Sequence, residues 1–449
     1  MHRQHFIVAA ILALIAPSAW GLDFSKFSLE NGMDVYVIPD NRTPVVVNFV
    51  WYKTGAGDEK EGQTGIAHML EHLMFKGTKN MPPQEFSKIV ARHGGQDNAF
   101  TSYDYTGYFQ KVAKENVAKM MEIEADRMRG LTFTDSEFLP ERSVVMEERR
   151  WRIDSKPQNR FYEDLSNKHM PNHPYGRPII GWKKDIEAYT SEMAHDWYKR
   201  WYQPNNAFLI LVGDINEAEA KKFVAETYAK VPSTKQIEHD AWPIEPLWTK
   251  AKRFEKIDSE IEIPQWTRSY RVPSAFAGIA GSTKGTEDYL KLSLLSQVLG
   301  GGSSSILYES LVKDQKLADA VSVHYTGVAR SESSFDVMIS PKPGVKLAVI
   351  EAAYEKVLAQ FLKDGVDEGA LSRAKTKRVS IDIYGRDDPF SSAYVFGRWL
   401  IAGGTAQNYD TWLEDIKSIN VSDLLTVAKT YMNKPQSTTG LLVSEASEL

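Results

Sequence analysis

The stretch Gly65-Ile66-Ala67-His68-Met69-Leu70-Glu71-His72-Leu73-Met74-Phe75 constrains this chain more than any other. It is rich in helix formers, with no proline and no glycine after Gly65, and predicts a helix with Thr64 ahead of it as N-cap. Residues at i and i+4 of a helix stand one above the other, so His68 and His72 leave the same face. Glu71, at i+3 from His68, joins them. Their neighbours Ile66, Leu70, Leu73 and Phe75 are apolar. Burying such a cluster without a partner costs roughly several kcal/mol. A divalent cation relieves that cost, and imidazole is a good ligand for zinc. The 449 residues contain no cysteine, which excludes thiolate ligands and cysteine nucleophiles.

Residues 1–21 read as a targeting segment. Arg3 supplies a positive start, Phe6 to Ala16 is an apolar run too short to span a bilayer, and Pro17 breaks it. Ala19-Trp20-Gly21 places small residues at −3 and −1, so cleavage before Leu22 and a periplasmic or secreted location are expected. A short apolar run disfavours the alternative, an uncleaved anchor. No later stretch is apolar for long enough to span, so no membrane span is expected after cleavage. The formal charge of −5 is mild, and no basic patch points to nucleic acid.

The remaining chain is too long for one core. Residues 22–230 read as a first half: strands at Met33–Ile38 and Val45–Tyr52, the helix above, and a second helix at Pro83–Arg92. The stretch Gly94 to Ser102 then leads into a strand through Tyr108 and Phe109, followed by helices at Lys114–Gly130 and Asp135–Arg152. The strand Ala207–Val212 and a helix at Glu217–Tyr228 close this half. Residues 231–265 carry Pro232, Pro243, Pro246 and Pro264 and read as a linker. Residues 266–449 repeat the order of elements without an H-x-x-E-H. The expected fold is α+β: two structurally repeated halves, each an antiparallel sheet with helices packed on one face.

The order His-x-x-Glu-His is the reverse of H-E-x-x-H and resembles the inverzincins. Glu141-Arg142-Ser143-Val144-Val145-Met146-Glu147-Glu148 fits the pattern E-R-x-x-V-x-x-E. Together the two segments resemble the pitrilysin, insulinase and mitochondrial processing peptidase family of zinc metallopeptidases. The resemblance implies one Zn²⁺ per chain, held by His68, His72 and a glutamate on a later helix. Glu147 and Glu148 compete for that place, and the resemblance favours Glu148. It makes Glu141 the glutamate behind the ligands and Glu71 the general base. It also makes the segment through Asn98, Ala99 and Phe100 the edge strand that binds peptide by strand addition, with Asn98 and Ala99 beside the scissile bond. His173-Pro174-Tyr175 resembles a further family signature; on chemistry alone it is a loop, and His173 is a weak ligand candidate.

One segment departs from the family. Its pattern L-R-x-K-x-x-L-x-Y supplies an Arg and a Tyr that bind the substrate carbonyl. In Leu311-Val312-Lys313-Asp314-Gln315-Lys316-Leu317-Ala318-Asp319, Val312 stands for the arginine and Asp319 for the tyrosine. The expectation is a subunit for extended, unfolded peptides that is completed by a paralogous subunit carrying the pair, a heterodimer; a homodimer is the alternative. Two other readings stay open from sequence: a non-catalytic assembly subunit of the same fold, and a zinc hydrolase of a non-peptide substrate.

Overall fold

Two strands, Val45–Tyr52 and Ala207–Gly213, are apolar and buried almost without interruption, on both faces. A strand of that kind must be covered from both sides. The computed structural model describes residues 22–234, 237–432 and 434–446 and shows how this is done. The targeting segment read at residues 1–21 lies outside the described residues.

The first half has strands β1 (Ser25–Ser28), β2 (Asp34–Pro39), β3 (Val45–Tyr52), β4 (Gln96–Thr101), β5 (Thr106–Ala113) and β6 (Ala207–Gly213). Its helices are α1 (Ile66–Leu73), α2 (Glu85–Arg92), α3 (Val117–Gly130), α4 (Asp135–Arg149), α5 (Pro157–His169), α6 (Lys183–Ala188), α7 (Ser191–Trp201) and α8 (Glu217–Glu226). The second half has strands β7 (Lys252–Ile257), β8 (Gln265–Val272), β9 (Ala318–Tyr325), β10 (Ser333–Pro341) and β11 (Ser437–Val443). Its helices are α9 (Tyr289–Gly300), α10 (Leu347–Asp364), α11 (Glu368–Gly385), α12 (Pro389–Ala402), α13 (Trp412–Ser418) and α14 (Val421–Tyr431).

The sheets run β1-β2-β6-β3-β5-β4 and β7-β11-β8-β10-β9. Without β1 the two orders coincide strand for strand, so the repeat extends to topology. Pairing is antiparallel except for β2 with β6 and β7 with β11, which are parallel. β7 lies inside the stretch 231–265 read as linker, so that stretch is not all linker. Its sequence Lys-Arg-Phe-Glu-Lys-Ile leaves one face exposed, and its charges hide the strand pattern.

Each half has its own core between its sheet and its own helices. The opposite sheet faces are covered by helices from the other half. α12 lays Ala393, Phe396, Trp399 and Ile401 on Tyr36, Phe49, Trp51, Phe208 and Ile210 of the first sheet. α5 lays Phe161 and Leu165 near Phe254 and Leu442 of the second. Each fully buried large side chain contributes roughly 1.5–3 kcal/mol, so this exchange ties the halves together. Gly397 makes the α12 crossing possible, since a Cβ there would sit 2.3 Å from the Trp51 ring. The expectation of helices on one face holds for each half's own helices, and the other half's helix covers the other face.

Candidate metal centre

α1 starts differently from the sequence expectation. Its N-cap is Gly65, in the left-handed region at φ 88°. A Cβ at Gly65 would lie 2.2 Å from the Ile180 carbonyl oxygen, so only glycine fits. Thr64 does not cap the helix; its hydroxyl donates to Asp185 (2.6 Å). The first-turn N–H groups go instead to the buried Glu59 carboxylate, which accepts from Gly65 N (2.7 Å) and Ala67 N (2.9 Å). The acceptor comes from a preceding loop, which cap spacing along the chain does not reveal.

From this start α1 presents His68 and His72 one turn apart, with ring centroids 4.8 Å apart. α4 crosses α1 and brings Glu148 to both. Glu148 Oε2 lies 3.2 Å from His72 Nε2 and 3.6 Å from His68 Nε2. One ligand atom from each of the three lies within 4.8 Å of the other two, and among the described residues this is the one such group. The pairing of Glu148 Oε2 with nitrogens only, with no hydrogen bond to that buried oxygen, fits a cation between them. Two imidazole nitrogens and one carboxylate oxygen form a three-ligand set for zinc. Glu147 points elsewhere: it is 66% exposed and pairs with Arg150 at 2.7 Å.

The surroundings orient these groups. Glu141 accepts from His72 Nδ1 (2.8 Å), which turns His72 Nε2 inward. Lys76 pairs with the other Glu141 oxygen. Arg152 holds Glu148 Oε1 at 2.9 Å and leaves Oε2 to the histidines. Burial opposes protonation of His72, but Glu141 and Glu148 outweigh it and push its pKa up to about 9. Burial, with His72 alongside, pushes His68 down to about 4. Glu148 is held below the usual carboxylate range, first of all by the His72 ring beside it.

Glu71 stays outside the ligand group. Its carboxylate accepts the Thr101 hydroxyl at 2.6 Å. Burial raises the Glu71 pKa and the Thr101 hydroxyl lowers it, with a net rise. Thr101 ends β4, which pairs with β5 alone and leaves its other edge open. Alternation along β4 sorts the predicted peptide-contacting residues. Ala99 packs on the α1 side with Thr101. Phe100 turns to the opposite face, against Phe49 (5.5 Å between centroids) and Tyr394 (5.3 Å). Its side chain is therefore part of the aromatic cluster beneath α12, and only its backbone faces the open edge. Asn98 is exposed, and its Oδ1 accepts the Ala99 N–H (2.9 Å).

His173 is no ligand. Its Nδ1 accepts the Tyr175 N–H (3.1 Å), its Nε2 meets Ser331 Oγ (2.8 Å), and burial pushes it down to about 4. Sequence reasoning missed Thr101, Lys76, Arg152 and Glu59. Lys76 and Arg152 each follow a ligand at i+4, a spacing that could have flagged them.

Residues 35–183 match the family described as insulinase (peptidase family M16), and residues 188–378 match the peptidase M16 inactive domain. The chain belongs to the M16 peptidase family. The zinc protease PqqE of Helicobacter pylori is 33% identical over 420 residues, which cover 92% of this chain and 91% of that protein. The probable zinc protease PqqL of Escherichia coli is 32% identical over 262 residues, 55% of this chain and 27% of that one. Among solved structures, a protease from H. pylori superposes with a TM-score of 0.88 at 31% identity, covering 94% of this chain and all (100%) of that chain. The periplasmic protease PqqL of E. coli shares the fold at a TM-score of 0.80 and 21% identity, covering 95% of this chain and 48% of the other. The M16 inactive-domain match starts in the last part of the first half and covers most of the second, where the described residues form no second ligand group.

Proposed function

We propose that this chain is a zinc metalloendopeptidase subunit that hydrolyses extended, unfolded peptides in the periplasm. The observation that carries this reading is the placement of Glu71 beside, but outside, the group formed by His68, His72 and Glu148. A cation site with a free carboxylate at its edge and an open strand alongside suits peptide hydrolysis better than a purely structural metal site, which closes its fourth position. His68, His72 and Glu148 would hold the metal, and Glu141 would fix the ring of His72. Zinc held there supplies Lewis acidity toward a peptide carbonyl and acidifies water.

The remaining steps fall to the chain's own residues. The backbone of β4 receives the peptide as an added strand. Glu71 takes a proton from the attacking water and returns it to the leaving amine. A carboxyl raised by burial and restrained by Thr101 is tuned for both directions of that transfer. The complete set of His68, Glu71, His72 and Glu148 speaks against a non-catalytic assembly role.

The positions where the family carries its Arg and Tyr are the weaker part. Val312 packs on the core of the second half, and Asp319 is exposed on the edge strand β9. Neither a valine side chain nor a carboxylate donates a hydrogen bond to a carbonyl. A paralogous partner with Arg and Tyr at these positions would complete the site. The leader-like start at residues 1–21 and the periplasmic location named for PqqL support export. The deciding experiment is zinc analysis plus chelator-sensitive cleavage of an unstructured peptide by purified protein, alone and with the candidate partner. Cleavage that survives complete metal removal would sink the reading.

A further inference from the structure

Beside the metal ligands stand two cations that water activation does not use. Arg152, one turn beyond Glu148, keeps its side chain 59% exposed while holding Glu148 Oε1. Lys156 places its ammonium 4.3 Å from the centroid of the Trp151 ring, and among the described residues it forms no ion pair. Trp151 is itself 65% exposed, a large apolar surface left in water three residues after a metal ligand. The backbone from Arg150 to Asp154 runs as a π-helical turn, a distortion frequent at functional sites.

Both cations line an open cleft of about 420 Å³, together with Tyr103, Ile153, Tyr162 and Arg177. The one carboxylate in its wall, Glu163, is bound in two hydrogen bonds of 2.8 Å by Arg149. Asp154, just outside, lies 3.3 Å from the same guanidinium. The Arg177 guanidinium donates to the Glu59 carbonyl (3.1 Å). A backbone carbonyl does not neutralise a guanidinium, so the cleft gathers three cations, Arg152, Lys156 and Arg177, against one carboxylate that Arg149 already holds. A metal on Glu148 would draw that carboxylate's charge away from Arg152 and strengthen the field.

The wall of the cleft begins just past the end of β4. β4 ends at Thr101, which holds Glu71, and Tyr103 of the cleft wall follows two residues later. An extended chain advances about 3.3 Å per residue. A peptide along β4 would thus bring a side chain to the cleft about two or three residues from the bond at the metal.

We propose that this cleft is a subsite for an aspartate or glutamate side chain of the peptide substrate. The inference rests on the peptidase reading above. The Arg152 guanidinium offers a planar fork for carboxylate oxygens. Lys156, held by an aromatic face rather than by an acid, can swing to the same ligand.

The test compares glutamate with glutamine at each of three positions on either side of the cleaved bond in an otherwise uncharged, unstructured peptide. At one position kcat/KM should favour glutamate by about fivefold, with the advantage shrinking as salt is added. Lys156→Gln should bring the ratio close to one, and Lys156→Glu should invert it. Zinc-loaded Glu71→Gln protein supplies a second readout: calorimetry should show the glutamate peptide binding more tightly by a similar factor. Cleavage with no glutamate preference at any position overturns the subsite and leaves the peptidase reading intact. Tighter binding of the glutamate peptide without cleavage of any peptide by the wild-type protein overturns the peptidase reading and keeps the subsite.

Discussion

The Thr101 hydroxyl donates to the Glu71 carboxylate across 2.6 Å, joining the last residue of an open strand to the carboxylate that the metal ligands leave free. Under the proposed reading, peptide binding and proton transfer are coupled through one side chain. Glu71→Gln keeps the volume and removes the proton acceptor, so zinc should stay bound while turnover falls by roughly 10² or more. Thr101→Val removes the hydroxyl that restrains the burial-raised Glu71 carboxyl, so its pKa should climb further. The acid limb of the kcat/KM profile should then move to higher pH, with a much smaller loss at alkaline pH than at neutral pH. An unmoved limb would show that Glu71 is not the titrating base.

Metal content should separate the two adjacent glutamates of α4. Glu148 shares its buried Oε2 with both histidines, whereas Glu147 is a solvated partner of Arg150. Glu148→Gln should strip the zinc, and Glu147→Gln should leave about one zinc per chain. Glu141→Gln should retain the fold and weaken zinc affinity by roughly 10–100-fold, because His72 loses the negative charge behind its Nδ1–H and with it part of the ring's basicity. Atomic absorption after dialysis against a graded chelator would check all three, and loss of metal in the Glu147 variant alone would reverse the assignment.

What could be read from the sequence followed local periodicity. His68, Glu71 and His72 declare their common face through helical spacing, and the apolar runs of β3 and β6 declare buried strands. Glu148 was placed by resemblance, because no local rule says which of two adjacent glutamates turns inward. Glu59 escaped notice because it caps α1 from a loop, a contact that exists only once the Gly65 turn has formed. The covering of each sheet by a helix of the other half was equally hidden. Nothing local in α12 says which sheet it covers, and the Trp51 ring that Gly397 admits is distant in sequence. β7 was lost among prolines and charges because its half-buried face carries Phe254 between two lysines, Lys252 and Lys256.

Two histidines at the seam between the halves should make the fold sensitive to acid. His169 of α5 meets Thr438 of β11 (Nδ1 to Oγ1, 3.0 Å), and burial pushes it down to about 3. His173 meets Ser331 at 2.8 Å, and burial pushes it down to about 4. In the unfolded chain each titrates near 6.5. Below that pH the unfolded chain binds protons that the folded chain refuses, so stability falls as pH drops from about 6.5 toward 4. At pH 5.5 the loss should be roughly 1 kcal/mol per histidine relative to pH 7.5. His169→Gln should lower stability at both pH values yet lose less on acidification. Equal acid losses for variant and wild type in urea titrations would remove His169 from the account.

The last prediction concerns the positions at which the family carries its Arg and Tyr. Stabilising the developing oxyanion of a peptide carbonyl by one donor is commonly worth roughly 3 kcal/mol. Val312, packed on the second core, offers no donor, and the Asp319 carboxylate would repel that negative charge. A homodimer would supply the same two residues twice. The chain alone should therefore cleave peptides slowly, and a paralogous subunit with Arg and Tyr at these positions should raise the rate by about 10² or more. Mutating that arginine in the partner should abolish the gain while leaving zinc in this chain unchanged. Steady-state assays of the single chain, the mixture and the mutant mixture check this, with zinc measured in each. If the single chain is fully active and indifferent to any partner, other residues of this chain must supply the missing donors.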